Sequence, residues 1–171
     1  WVNGQKEKFS GSFSSVFRQI LFFIIPISLF IFLLRAQIVR SILGTDQFGW
    51  LETRLTAASL GVFSLGLFAS SFVPILARAF FSFQDTKTPV VIGVASIILN
   101  IALCFLFIWS LNFSNIFQEF LRNFLKLQGI KNIQVLSFPL ALSISAIFNF
   151  SLLFYFLKKK IKNLRLGEIV S

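Results

Sequence analysis

Very few side chains in the apolar segments of this sequence are of types that could do chemistry. The 171 residues include no His and one Cys, Cys104, which excludes an internal disulfide and the usual His and Cys metal sites. No Asp, Glu, Lys or Arg lies in the middle of a long apolar run, where an ionised group costs about 2.5–3.5 kcal/mol. We therefore expect no catalytic residue, metal or cofactor, and a membrane enzyme is the least favoured class.

Two asparagines are the main uncharged polar groups in these runs. Asn100 ends a stripe of small residues at helical spacing that includes Gly93 and Ser96. Asn149 ends a second such stripe that includes Ser143 and Ala146. Small residues let helices approach closely, and amides bond across the interface, so helix packing is one interpretation. Contact with a substrate is the other.

Arg78 follows a third small-residue stripe that includes Gly61, Ser64 and Ser71. It is either an anchor that extends to the membrane surface or a cation facing a cavity, where it could bind a phosphate bidentately. Lys87 is the second cation that could face such a cavity. The surrounding segment, Gln84 to Thr88, is typical of a capped turn, with Thr88 as the cap and Pro89 opening the next helix.

The composition places these residues in a bilayer. Hydrophobic residues make up 56% of the chain, and the mean hydropathy is +0.85. Each of four apolar runs is close to the ~20 residues that a helix needs to cross the hydrocarbon core. The runs are 19–34, 55–81, 89–111 and 135–157. We therefore predict an all-α polytopic membrane protein with four transmembrane helices.

Two further segments have amphipathic patterns. In 5–18, Phe residues recur at helical spacing beside lysines, and 114–127 repeats the pattern between the third and fourth spans. Both are predicted to be surface helices that lie on the membrane. Packing against neighbouring protein is the alternative for both.

The net charge of +10 predicts orientation and does not indicate nucleic-acid binding, since the cations form short clusters between apolar runs. Ten cations fall on one side: Lys6, Lys8, Arg18, Arg78, Lys87, Lys158, Lys159, Lys160, Lys162 and Arg165. Six fall on the other: Arg35, Arg40, Arg54, Arg122, Lys126 and Lys131. The bias predicts that both chain ends are cytoplasmic.

The stretch A-R-A-F-F-S-F-Q-D-T-K-T-P, Ala77 to Pro89, resembles a signature of the MurJ/MviN family, in which an aromatic-rich helix end precedes a D-T-K-T-P turn. The motif residues are Ala77, Arg78, Asp85, Thr86, Lys87, Thr88 and Pro89. The segment from Ile38 to Gly44 resembles that family's short segment after the preceding span. The helix that starts at Leu55 resembles the family's next helix, with its small residues.

The resemblance implies the ninth to twelfth helices of a fourteen-helix protein, part of a lobe like those of the multidrug and oligosaccharidyl-lipid exporters. It implies a lipid II flippase of the bacterial inner membrane, which moves the undecaprenyl-pyrophosphate-linked peptidoglycan precursor by alternating access. Its partners would be that precursor, membrane lipids and the remaining helices. A polysaccharide-lipid flippase of the same superfamily and a non-transporting membrane scaffold are the alternatives.

Overall fold

The computed structural model describes residues 3–43, 49–112, 118, 119, 121, 123, 125 and 133–167, with side chains described from 15 to 160 within these ranges. The elements are α1 (Asn3–Leu43), α2 (Trp50–Ser82), α3 (Lys87–Asn112), a short 3-10 helix (Ile133–Leu136) and α4 (Ser137–Gly167). All four α-helices are long and apolar enough to cross a membrane. The predicted all-α polytopic membrane fold is confirmed.

Helix α1 joins three segments that the sequence pattern separates. The predicted surface helix 5–18, the predicted span 19–34 and the segment after Ile38 belong to one continuous helix. At 1.5 Å per residue its 41 residues extend about 60 Å, roughly twice the hydrocarbon core. Arg35, the first residue after the predicted span 19–34, therefore lies well inside a helix, because the edge of the hydrocarbon is not a helix end.

The other helix ends also differ from the predicted spans. Helix α2 begins five residues before Leu55, and α3 begins at Lys87. Helix α4 continues past the predicted span 135–157 and through Lys160 to Gly167, since lysine is itself a good helix former outside the hydrocarbon. The predicted surface helix 114–127 lies mostly outside the described residues; four of its described residues are helical: Gln118, Glu119, Leu121 and Asn123.

Helix α2 is the centre of the bundle. It packs along α1 on one side and along α4 on the other, while α3 packs on α4 and barely touches α2. No residue in the most apolar stretch of α1 is buried, against 39% of the residues in that of α2. The outer faces of α1 and α3 are therefore available to lipid or to helices beyond this chain.

Two apolar clusters lie towards opposite ends of α2. One joins the start of α2 to the end of α3 and the 3-10 helix, through residues such as Val62, Leu111 and Ile133. The other joins the end of α2 to the start of α3 and the last part of α4, through Phe80, Ile92 and Leu153. Helices α2, α3 and α4 therefore run antiparallel to their neighbours in sequence. Helix α1 is antiparallel to α2 as well, since Phe17 contacts Phe72 and Arg35 lies against Gly61.

Helices α2 and α4 approach closely between these clusters. A Cβ atom added to Gly66 would lie 2.9 Å from the Cα atom of Ser143. The Ser143 hydroxyl donates to the carbonyl of Val62 at 2.9 Å, across the same interface. Ser143 of the α4 stripe thus serves helix packing at this crossing, where it meets Gly66 and Val62, which lie outside the predicted α2 stripe.

Candidate functional site

The turn between α2 and α3 is closed by its own backbone. The N–H of Gln84 donates to the carbonyl of Phe81 at 2.9 Å, and the N–H of Asp85 donates to that of Phe80 at 3.1 Å. This pair of bonds is a Schellman motif, which requires a left-handed residue after the helix. Gln84 supplies it, with φ at 58°. The D-T-K-T-P segment is therefore held at a fixed angle to the end of α2.

Asp85, and not Thr88, caps the start of α3. One carboxylate oxygen accepts the backbone N–H of Thr88 at 3.1 Å, and the other accepts the Thr88 hydroxyl at 2.9 Å. Thr88 is inside the helix, so its own N–H is one of the groups that need a cap. The sequence-based choice of Thr88 was wrong for this reason.

Lys160 of α4 completes this end of the bundle. Its Nζ atom lies 2.5 Å from Oδ2 of Asp85 and 5.9 Å from the ring centroids of Phe80 and Phe83. The hydrogen bond from Lys160 and the backbone N–H of Thr88 lower the pKa of Asp85 from 3.8 to about 2. We call this arrangement of Phe80, Phe83, Asp85, Thr88 and Lys160 the turn end.

The two predicted cavity cations do not take part in the turn end. Arg78 and Lys87 are both exposed, and neither side chain makes an ion pair or hydrogen bond with any residue that the structure describes. On α2, Arg78 is adjacent to Ala79 and Phe80, which are buried against α3 and α4. The Arg78 guanidinium group and the Lys87 ammonium group are therefore free to contact a lipid head group or a part of the protein beyond this chain.

Asn100 lies between α3 and α4. Its Nδ2 donates to the hydroxyl of Ser145 at 3.0 Å, and that hydroxyl donates to the carbonyl of Leu142 at 3.0 Å. The thiol of Cys104 approaches the Asn100 carbonyl oxygen at 3.9 Å. These contacts favour the packing interpretation of Asn100 over contact with a substrate.

Asn149 differs from Asn100. Its Oδ1 atom is buried and has no hydrogen-bond partner within the described part of the chain. Burying a carbonyl oxygen without a hydrogen-bond partner costs free energy. The Asn149 oxygen is therefore available to accept a hydrogen bond from a donor outside the described residues. Among the described contacts, nothing joins Asn149 to Arg78, Lys87 or Asn100.

The structure also brings together three cations that the sequence-based prediction does not group. Arg35, Arg40 and Arg54 line one cavity of about 350 Å³ between α1 and the start of α2. We call this group the arginine end. From the sequence they are predicted only to lie on the same side of the membrane, among its six cations. The signal in the sequence for this group is that these three cations, on the side with fewer cations, are all arginines.

The comparisons with known proteins agree with this architecture. The model of the lipid II flippase MurJ family matches residues 1–170. The chain belongs to the MurJ family. A probable lipid II flippase MurJ of Vibrio cholerae serotype O1 is 28% identical over 108 residues, which are 63% of this chain and 21% of that protein.

A second MurJ relative gives the same result. The probable lipid II flippase MurJ of Bdellovibrio bacteriovorus is 27% identical over 100 residues, which are 58% of this chain and 19% of that protein. The chain spans about a fifth of the length of these curated relatives. No solved structure matches the chain. In this MurJ-family chain the family-like turn and the arginine end lie at opposite ends of α2.

Proposed function

We propose that these four helices are part of a lipid II flippase, which moves an undecaprenyl-pyrophosphate-linked peptidoglycan precursor across the bacterial inner membrane. The match of the MurJ family model to residues 1–170 is the observation that carries this proposal. The four membrane-length helices support it, because moving a lipid-linked sugar requires a polytopic scaffold. The work is transport by alternating access, with no covalent step.

The proposed orientation has the turn end in the cytoplasm and the arginine end outside. Its support is the excess of Lys and Arg, ten against six, on the side of the turn. The contact between Lys160 and Asp85 supports the grouping of the α4 lysines with the α2–α3 turn at one membrane face. Both ends of this chain would then be cytoplasmic.

Arg78 and Lys87 are proposed to face the substrate cavity from the cytoplasmic side. Both are exposed cations next to a turn that is held by the Asp85 cap and by Lys160. A diphosphate head group would be bound by guanidinium and ammonium groups at fixed positions. Asn149 is the weaker candidate, and Asn100 already has a partner in Ser145.

Complementation tests the function directly. The full-length protein that contains this chain should restore growth and shape to a strain depleted of its own lipid II flippase. In whole cells, the restored strain should again expose lipid II to an added hydrolase at the outer leaflet. Normal membrane insertion without growth or exposed lipid II would contradict the proposal, and rescue of a polysaccharide-lipid flippase mutant instead would favour that transporter.

The cavity role of the two cations has its own test. Arg78→Gln and Lys87→Gln should each reduce lipid II exposure in the full-length protein, because each removes a cation from the proposed cavity. Lys159→Gln is the matched control, since Lys159 is equally exposed and lies at the same end. Full activity of both Arg78→Gln and Lys87→Gln would remove these residues from the transport mechanism.

A further inference from the structure

The cavity at the arginine end has the composition of an anion site. Its volume of about 350 Å³ lies within the range of small-molecule sites, roughly 300–1,000 Å³. Arg35, Arg40 and Arg54 line it together with the polar side chains of Gln37 and Thr53. No Asp or Glu is among the described residues of its wall.

Arg35 is held in place and does not simply extend to water. Its Nη1 atom is buried without a hydrogen-bond partner in the described part of the chain. Its guanidinium carbon lies 5.0 Å from the centroid of the Phe32 ring. A Cβ atom at Gly61 would lie 2.5 Å from Nη1 and 2.9 Å from Cδ of Arg35, so the glycine provides the space that this side chain occupies.

The other two arginines have no compensating partner. Across the described ranges, neither the Arg40 nor the Arg54 side chain makes an ion pair or hydrogen bond, and the Gln37 side-chain amide makes no hydrogen bond. Glu52 is exposed and does not line the cavity. Three like charges around one cavity repel one another, and an anion bound between them would reverse that effect.

Membrane topology does not account for this grouping. The arginine end is on the side with six of the chain's sixteen cations, where orientation requires few. Three of those six line a single cavity. All three are arginines, whose planar guanidinium groups bind phosphate oxygens in pairs, which lysine does not do.

The surroundings of the cavity fit a lipid better than a free ion. Trp50 lines the cavity and is 67% exposed, in the position of an interfacial tryptophan. Ile42 and Leu51, at the neighbouring helix ends, are 72% and 50% exposed. Acyl chains could pack on this apolar rim while a head group enters between the arginines.

We propose that the arginine end binds the phosphodiester head group of an anionic phospholipid. Arg40 and Arg54 contact the phosphate oxygens, Gln37 offers an amide donor, and Arg35 provides a fixed positive charge behind them. Gly61 is a positioning residue, since it acts through Arg35. This site is separate from the turn end and from the transport of a precursor.

Lipid binding by the purified full-length protein tests the site. Native mass spectrometry would follow titration with phosphatidylglycerol and, separately, with phosphatidylcholine. The double variant Arg40→Gln/Arg54→Gln should bind phosphatidylglycerol about tenfold more weakly or worse, because it loses two charged hydrogen-bond donors. The matched control Lys158→Gln/Lys159→Gln removes two exposed cations from the opposite end and should bind it as the wild type does.

Gly61→Ala separates a built site from general attraction by charge. It leaves every charge in place but displaces Arg35, so a partial loss of phosphatidylglycerol binding is expected. Circular dichroism and the melting temperature would establish that each variant is folded. Failure of transport in the complementation assay would leave this lipid-binding result unaffected, because the two measurements are independent.

Three outcomes of the lipid titrations would overturn the proposal. They are equal binding of phosphatidylcholine and phosphatidylglycerol, unchanged binding by the arginine double variant, and equal losses in the lysine control. Competition with inorganic phosphate distinguishes the ligand source. Displacement of phosphatidylglycerol by millimolar phosphate would assign the site to a free anion, whereas resistance to displacement supports the lipid head group.

Discussion

The turn end and the arginine end use charge in opposite ways. At the turn end, Asp85 and Lys160 neutralise each other, and the carboxylate also caps α3. At the arginine end, three cations surround a cavity and lack an acidic partner among the described residues. Paired charges within the chain fix the positions of helices, while unpaired charges around a cavity are available to a ligand. The comparison thus separates a charge pair that fixes helix positions from three unpaired charges that we propose bind a ligand.

Forcing α2 and α4 apart at the crossing between the two ends should have the largest effect. Gly66→Leu places a side chain where the backbone of Ser143 lies, so α2 and α4 must move apart. Overpacking of this kind costs about 1–3 kcal/mol, and the melting temperature of the detergent-solubilised full-length protein should fall clearly. Gly93→Leu is the control, because a Cβ at Gly93 meets nothing within 4 Å. Equal losses from both variants would contradict the described crossing.

Neutralising the turn end should have the next largest effect. Asp85→Asn keeps an oxygen that can cap α3 but removes the charge that Lys160 requires. We expect a loss of about 1 kcal/mol in thermal stability, because solvent screens this pair, and Lys160→Gln should cost a similar amount. The double variant should cost little more than either single one, since both remove one interaction. Additive losses would show that the two side chains do not interact.

The pH dependence sharpens the same point. Asp85 has a pKa of about 2 in the folded protein, against a usual value of 3.8. Because the folded pKa is lower, its stabilising contribution is complete above about pH 4 and declines as the pH falls towards 2. The stability difference between the wild type and Asp85→Asn should therefore be constant from pH 7 to about pH 4. A difference that disappears by pH 5 would contradict the ion pair.

Relieving the turn should have the smallest effect and the opposite sign. Gln84 has a left-handed backbone, which costs a non-glycine residue about 1 kcal/mol. Gln84→Gly should raise stability by about 0.5–1 kcal/mol, because the Schellman bonds remain and the strain is removed. Gln37→Gly, inside α1, is the control and should be destabilising. A lower melting temperature for Gln84→Gly would contradict the left-handed conformation.

The sequence predicts those parts of the molecule that depend on local pattern. Four apolar runs predict four membrane helices, and the stretch from Ala77 to Pro89 predicts the family and a turn. Helix ends are less predictable, since α1 continues through Arg35 into the interface, where hydropathy changes but helical structure does not. Hydropathy therefore finds spans more accurately than it finds helix termini.

Contacts between distant residues are the part that the sequence does not predict. Lys160 and Asp85 are 75 residues apart. Lys160 is one of three adjacent lysines, which the sequence alone does not distinguish. Only the packing of α4 on α2 selects it. Arg35 and Arg54 meet at one cavity for the same reason, because α1 and α2 lie side by side. Asn100 has a partner in Ser145 that no spacing rule indicates.

The position of the two ends on opposite membrane faces is the central claim, and site-directed labelling tests it most directly. The full-length protein would be freed of native cysteines, including Cys104→Ser, and would carry either Gln37→Cys at the arginine end or Thr86→Cys at the turn end, both exposed. An impermeant maleimide should label Gln37→Cys in intact cells with a permeabilised outer membrane, and Thr86→Cys only after lysis. Labelling of both from one side, or the reverse pattern, would contradict the account.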